Sequence, residues 1–110
     1  MVTQDWSEEI IMVDLAEDPE LSDELNALAE RMEKDPRDVV LNFANIQFLN
    51  SSNISRLLRL RKVVLDKKHR LYLCNIAIQV WGVFLLTGLD SVFDVAEDTA
   101  TALTSLQMKS

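Results

Sequence analysis

Two adjacent serines, Ser51 and Ser52, stand at the mouth of an amphipathic helical stretch within Val39–Leu60, VVLNFANIQFLNSSNISRLLRL. A helix start presents unpaired backbone N–H groups and the positive end of its dipole. A phosphate esterified to a hydroxyl there would be well housed. That is the chemistry of a modification switch. The competing reading of Ser51 is a plain helix cap, and Ser52 reads as an N-cap or first-turn residue. Other chemistries find little material. The single histidine, His69, lies in Lys67-Lys68-His69-Arg70 and reads as a solvated loop residue with no carboxylate pair to make it a base. No nucleophile-elbow sequence is present. Gly82 and Gly88 are the only glycines, so a glycine-rich phosphate loop cannot be built. One cysteine and one histidine do not make a zinc site. The acids Glu17, Asp18 and Glu20 lack the alternation of a calcium loop. No metal, no cofactor and no enzymatic activity are expected; a small hydrolase or phosphotransfer enzyme would have to recruit His69.

Composition bounds the answer further. At 110 residues the chain is expected to be one domain with one core, spanning about 9–107. Its 48% hydrophobic and 26% charged residues are those of an ordinary globular protein. A net charge of −7 argues against nucleic-acid binding, which needs a basic footprint. The charge is polarised: acids dominate through Asp38, bases from Ser51 to Leu73, an arrangement able to steer a charged protein partner. The apolar run IAIQVWGVFLL is too short to span a bilayer, so no membrane insertion is expected. The acidic N-terminus lacks the pattern of a signal peptide, and the cytoplasm is the default location. Cys74, in LYLCNI, reads as a small buried side chain.

The elements that must position the serines follow from periodicity. Glu9–Leu15 reads as a strand covered on both faces. Asp18-Pro19 opens a helix whose apolar stripe is Leu21, Leu25, Leu28 and Met32, with Glu24, Glu30, Arg31 and Lys34 opposite. Asp35-Pro36 ends it. Val39–Phe43 is a second strand, followed by a connection anchored by Ile46, Phe48 and Leu49. A helix from about Ser52 to Lys67 is expected to bury Ile54, Leu57, Leu58, Val64 and Leu65. Arg70–Ile76 is a third strand. Gln79–Thr87 is read as a well-buried helix, closed by Gly88 as a C-cap. A short strand, Ser91–Val95, and a last helix, Glu97–Gln107, complete the chain, with Leu103 and Leu106 turned inward. Trp81 is expected to pack in the core, and Trp6 to cover a sheet edge or mediate self-association. The alternation predicts an α/β fold: a small mixed, mostly parallel sheet of four to five strands with about four helices.

The sequence pattern resembles the STAS domain, the fold of bacterial anti-sigma factor antagonists. The resemblance runs from about Ile10 to Leu106 and rests on FLNSSNISRLLRLRK, LYLCN and VFLLTGLDSVFDV in that order. It implies a non-enzymatic, cytoplasmic signalling protein that binds an anti-sigma factor acting as a serine kinase, with a serine phosphatase reversing the modification. The family's usual site reads D-S-S-G or D-S/T-x-G. By that pattern the resemblance puts the acceptor at Ser51, with Ser52 the lesser candidate. It puts the partner surface at Asn50, Ser51, Ser52, Asn53, Ile54, Arg56 and Arg59. Asn50 replaces the aspartate and Asn53 the glycine, which leaves altered partner choice or a never-phosphorylated scaffold as alternatives. A scaffold or transport-accessory subunit would grip an ATPase or form a homodimer.

Overall fold

The computed structural model describes residues 1–108. Five strands form one sheet: β1 (Val2–Asp5), β2 (Ile10–Asp14), β3 (Asp38–Asn42), β4 (Leu71–Cys74) and β5 (Asp94–Ala96), in that spatial order. β1 runs antiparallel to β2, and the other neighbours are parallel. Four helices are interleaved: α1 (Glu20–Lys34), α2 (Ser51–Asp66), α3 (Ile78–Thr87) and α4 (Thr99–Gln107). The expected mostly parallel sheet with about four helices is the fold observed.

Register divides the strands between two apolar layers. Ile11 pairs with Val39 and Val39 with Leu71; Val13 pairs with Leu41 and Leu41 with Leu73. These side chains share one face, because successive residues of a strand point to opposite sides. They pack with Leu21, Leu25 and Leu28 of α1, Leu57 and Leu60 of α2, and Val80 and Phe84 of α3. The alternate set, Ile10, Val40, Tyr72 and Cys74, meets Ala102 and Leu106 of α4. Burial pushes the Cys74 thiol up from its ordinary 9.0, and its Sγ lies 3.6 Å from Thr99 Oγ1. The thiol is thus a small protonated core group.

β1 carries no hydrophobic signal. Val2, Gln4 and Asp5 are exposed, and β1 is held by backbone pairing with β2 and by Asp5 Oδ1, which accepts from Arg31 and Arg37 at 3.2 Å each. Trp6 and Ser7 turn the hairpin, both N–H groups donating to the Ile10 carbonyl. Glu24, expected on the solvent face of α1, is buried instead. Its carboxylate accepts from the Ala16 N–H at 2.9 Å and lies 2.6 Å from the Met1 amino group. The α1 stripe therefore includes one paired charge three residues beyond Leu21. The phase of α2 also differs from expectation. Asn53, Leu57, Leu60, Val63 and Val64 face inward, while Leu58 and Leu65 are exposed. The sheet and α1 together cover a single stripe, and leucines outside it stay wet. Ile46 and Leu49 anchor the β3–α2 connection as expected, but Phe48 is 69% exposed. α3 is not well buried: only Val80 and Phe84 are covered, while Ile78 and Leu86 are each 90% exposed. Trp81 is half-buried and stacks on Phe84 at 5.7 Å. The last strand begins at Asp94, because Leu89–Ser91 form a 3-10 turn.

Helix ends follow local chemistry. Gly88 closes α3 in the left-handed region, φ 74°, its N–H donating to the Leu85 and Phe84 carbonyls. An added Cβ there meets no neighbour, so the penalty of Gly88→Ala is purely backbone strain. Chemical denaturation is expected to show a loss of about 1 kcal/mol. Asp98 caps α4, accepting from the Thr101 N–H at 2.8 Å, and this hydrogen bond holds its carboxyl below 3.8. A depressed folded-state value means the stabilisation is present above the unfolded value and fades as pH falls through the folded one. The melting-temperature gap between wild type and Asp98→Ala is therefore expected to narrow on going from about pH 5 to about pH 2.

Candidate functional site

The serines sit on the first turn of α2, just past the C-terminal end of β3, where parallel α/β sheets place their ligand-facing loops. Asn50, in extended backbone, is the N-cap. Its Oδ1 accepts from the Asn53 N–H at 2.8 Å, and the Asn53 Oδ1 accepts from the Asn50 N–H at 3.1 Å. This is a reciprocal capping box, with asparagine in the place usually held by Glu or Gln. The cap leaves Ser51 and Ser52 as the first two helical residues, so neither caps the helix itself. Both are exposed.

A carboxylate from the turn before α1 locks this corner. Asp18, just before α1, accepts from Asn50 Nδ2 at 2.9 Å through one oxygen and from Asn53 Nδ2 at 3.2 Å through the other. Asn53 Nδ2 also donates to Ser22 Oγ at 2.9 Å. All of the Asn53 side-chain hydrogen-bonding capacity is turned inward, and the residue is 1% exposed. The first turn of α2 has no acid of its own. Asp18 therefore supplies the negative charge beside the positive end of that helix.

Of the residues expected to form a partner surface, Asn50, Ser51, Ser52 and Arg59 are exposed, and Ile54 and Arg56 half-buried. Asn53 is not part of that surface. It is a buried strut: its amide bridges Asp18 and Ser22 while closing the cap. Arg56 lies one turn after Ser52, its Nη1 donating to the Ser52 hydroxyl and, at 3.3 Å, to the Ser52 carbonyl. Its Nε is buried without a partner. Arg59 Nη1 reaches Asn26 of α1 at 3.4 Å. Phe48, two residues before the cap, is expected from its hydropathy to anchor the connection in the core. Its exposed ring instead lies beside this surface, and in the sequence only the polar residues at 47 and 50 hint at that.

His69 is not free in solvent. It is half-buried, with Nδ1 3.0 Å from Asp38 Oδ1, an oxygen that also accepts from the Arg70 N–H at 2.9 Å. This pair joins the starts of β3 and β4, at the opposite end of the strands from the serines. Among the described residues no cluster of three or more His, Cys, Asp or Glu is placed to hold a metal ion. No helix among them is long and apolar enough to cross a membrane.

The sequence matches the family model of the STAS domain over residues 10–102, and the chain belongs to that family. Comparison with curated protein sequences gives no significant match. Solved structures share the fold at low identity. An anti-sigma-factor antagonist (STAS) domain protein from Planctomyces limnophilus is 18% identical, with a TM-score of 0.82 and coverage of 96% of this chain and 97% of the other. A Thermotoga maritima protein proposed to be an anti-sigma factor antagonist is 10% identical, with a TM-score of 0.77 and coverage of 96% and 93%. A sulfate transporter family protein from Wolinella succinogenes is 14% identical, with a TM-score of 0.76 and coverage of 91% and 84%.

The Asp18 clasp gives the two departures from the usual motif a physical reason. Each asparagine donates an amide hydrogen to one Asp18 oxygen; an aspartate at 50 would set two carboxylates against each other, and a glycine at 53 would leave an oxygen unpaired. Asn53→Ala is expected to cost about 2–3 kcal/mol in urea unfolding, since buried hydrogen bonds to a charged group are lost together. Asn50→Asp is expected to cost roughly 1 kcal/mol at low salt and less at high salt. The exchange Asn50→Asp with Asp18→Asn restores a donor opposite an acceptor and is expected to recover most of that loss.

Proposed function

We propose that this STAS domain is a regulatory binding protein of the anti-sigma factor antagonist type. It acts in the cytoplasm, without catalytic activity of its own. Its partner is a switch protein of the anti-sigma factor serine kinase class, and phosphorylation of the Ser51–Ser52 pair releases that partner. A serine phosphatase restores the binding form. The observation that carries this reading is the pair of solvent-open hydroxyls on the first turn of a capped helix whose own first turn holds no acid.

The switch needs no refolding. A phosphoserine brings ~−1.5 to −2 charges at neutral pH. At the start of α2 that charge meets the helix dipole favourably, so the domain stays folded. A partner packed over the same turn would have to desolvate the dianion. A hundredfold loss of affinity corresponds to about 2.7 kcal/mol, well within what an unpaired buried charge imposes. The surface that engages the partner is formed by Phe48, Asn50, Ser51, Ser52, Ile54, Arg56 and Arg59. Aromatic residues, phenylalanine among them, and arginine are enriched at protein–protein interfaces.

Ser51 is the primary acceptor in this proposal, because its hydroxyl has no hydrogen-bond partner among the described residues. Ser52 is the second, and Arg56 stands ready to pair with a phosphate there. Treatment with such a kinase and ATP, followed by phosphopeptide mapping, is expected to place the phosphate on this pair and to lose it in the Ser51→Ala/Ser52→Ala variant. Partner binding measured by calorimetry is expected to fall about a hundredfold on modification. A phosphate that persists in the double variant overturns the assignment.

The second reading is a constitutive scaffold or transport-accessory subunit. The asparagines at 50 and 53 favour it, since both are committed to the Asp18 clasp and depart from the phosphorylated motif. On that reading Ser51→Asp leaves partner binding unchanged.

A further inference from the structure

α2 presents a basic surface on an acidic molecule. Between Ser51 and Lys68 six bases stand against Asp66 alone, although the chain has a net charge of −7. Arg61 is turned onto the fold, its Nε donating to the Val92 carbonyl at 3.1 Å and its guanidinium lying over the Phe93 ring. Lys62 Nζ lies 3.0 Å from Asp66 and Lys67 Nζ 3.9 Å from Glu33, exposed pairs that water and salt loosen. Arg56 and Arg59 have no carboxylate partner among the described residues. Their guanidinium groups meet only Ser52 and the Asn26 side chain.

An apolar line runs through the same surface. Leu58 is 36% exposed and Leu65 is 41% exposed. They stand seven residues apart, and Ser51 is seven residues before Leu58, so the three share one side of α2. At 1.5 Å per residue the line is about 21 Å long. Arg61 and Lys62 each fall three or four residues from both leucines, so a base borders the line on either side.

We infer that α2 receives an acidic amphipathic helix of the partner protein. Its apolar residues cover Leu58 and Leu65, its carboxylates pair with Arg59 and Lys62, and its path crosses Ser51. The inference rests on the reading of the serines as a docking corner and gives the partner its chemistry. Charge selects the occupant. A cluster of bases on a chain of opposite net charge draws acids to that one place and turns them away elsewhere. The leucine line requires apolar side chains as well, at the seven-residue spacing that helices lying side by side share. A second copy does not fit. Its acidic helix, α1, exposes none of its large apolar side chains. A nucleic-acid backbone would leave the leucines uncovered, and the exposed acids Asp23 and Glu30 of the neighbouring α1 would oppose it. Release on modification then has an electrostatic cause. A phosphate on Ser51 sets ~−1.5 to −2 charges on the line along which the partner's acids lie.

The full chain, titrated with a synthetic 20-residue helical peptide that carries a leucine stripe flanked by glutamates, tests the inference. A control peptide has lysine at every glutamate. Amide shifts of the labelled protein are expected to map to α2. The glutamate peptide is expected to bind at least tenfold more tightly than the lysine one, and to weaken at least tenfold between 50 and 500 mM NaCl. The double variant Arg59→Glu/Lys62→Glu and the single variant Leu58→Gln are each expected to weaken binding at least fivefold, while Leu86→Gln on α3 leaves it unchanged. Ser51→Asp is expected to weaken it several-fold. Equal affinity for the two peptides overturns the inference, as do shifts centred on α3 or indifference to both α2 variants. Binding of a DNA duplex or of phosphatidylglycerol vesicles as strong as that of the glutamate peptide, and lost in the same variants, also overturns it. Full-strength peptide binding by Ser51→Asp overturns the path across the serines. Failure of the phosphopeptide mapping with peptide binding intact would instead fall on the modification reading alone.

Discussion

Asp18 is the hinge-pin of the serine-bearing corner. It lies outside both helices, yet each of its oxygens accepts from a different asparagine of the α2 start. Two amide donors and one carboxylate are a matched set, and charge-assisted hydrogen bonds of this kind are worth more than neutral ones. Through them the position of α1, set by its leucine stripe in the core, determines where α2 begins and how Ser51 and Ser52 face solvent. The capping box closes the remaining backbone groups of that turn. The serines are thereby freed from any structural duty in holding the helix end.

That freedom is what a modification site needs. A serine that caps a helix cannot be esterified without loosening the cap, whereas a hydroxyl on the first turn after the cap can accept a phosphate beside the dipole. The layered core keeps the consequences local. α1, α2 and α3 lie on one sheet face, over the apolar rows Ile11–Val39–Leu71 and Val13–Leu41–Leu73, and α4 lies on the other, over Ile10, Val40, Tyr72 and Cys74. Charge added at the rim of such a packed body alters what docks there and leaves the packing alone. The serine corner and the apolar side of α3 are thus two separate surfaces on one rigid frame. One is polar and carries an exposed hydroxyl pair, the other is uncharged and carries a mid-helix glycine.

The polar pair His69–Asp38 and the buried Glu24 show the same economy. Each finds partners distant in sequence: Asp38 for His69, the Ala16 N–H and the Met1 amine for Glu24. Burial of such groups is tolerable only with partners in place. These pairings fasten the strand starts and the hairpin edge without touching the serine corner.

Local patterning in the sequence was sufficient for the alternation of strands and helices, the Gly88 cap, the proline boundaries of α1 and the placement of the serines at a helix start. Each of these is decided by a few neighbouring residues through backbone sterics, capping or apolar periodicity. Several features were decided only by tertiary contact. β1 has no apolar signal, because an edge strand is held by backbone pairing that any residues can make. The buried stripe of α2 passes through Asn53 and Leu60 and not through Leu58 or Leu65, because α1 and the sheet choose which side is covered. The outward turn of Phe48, Ile78 and Leu86 has the same origin: hydropathy states that a side chain prefers to leave water, but only the packed fold determines whether a surface is there to receive it. The Asp18 clasp joins residues more than thirty positions apart, and no local pattern records a hydrogen bond between elements that meet only when the core closes.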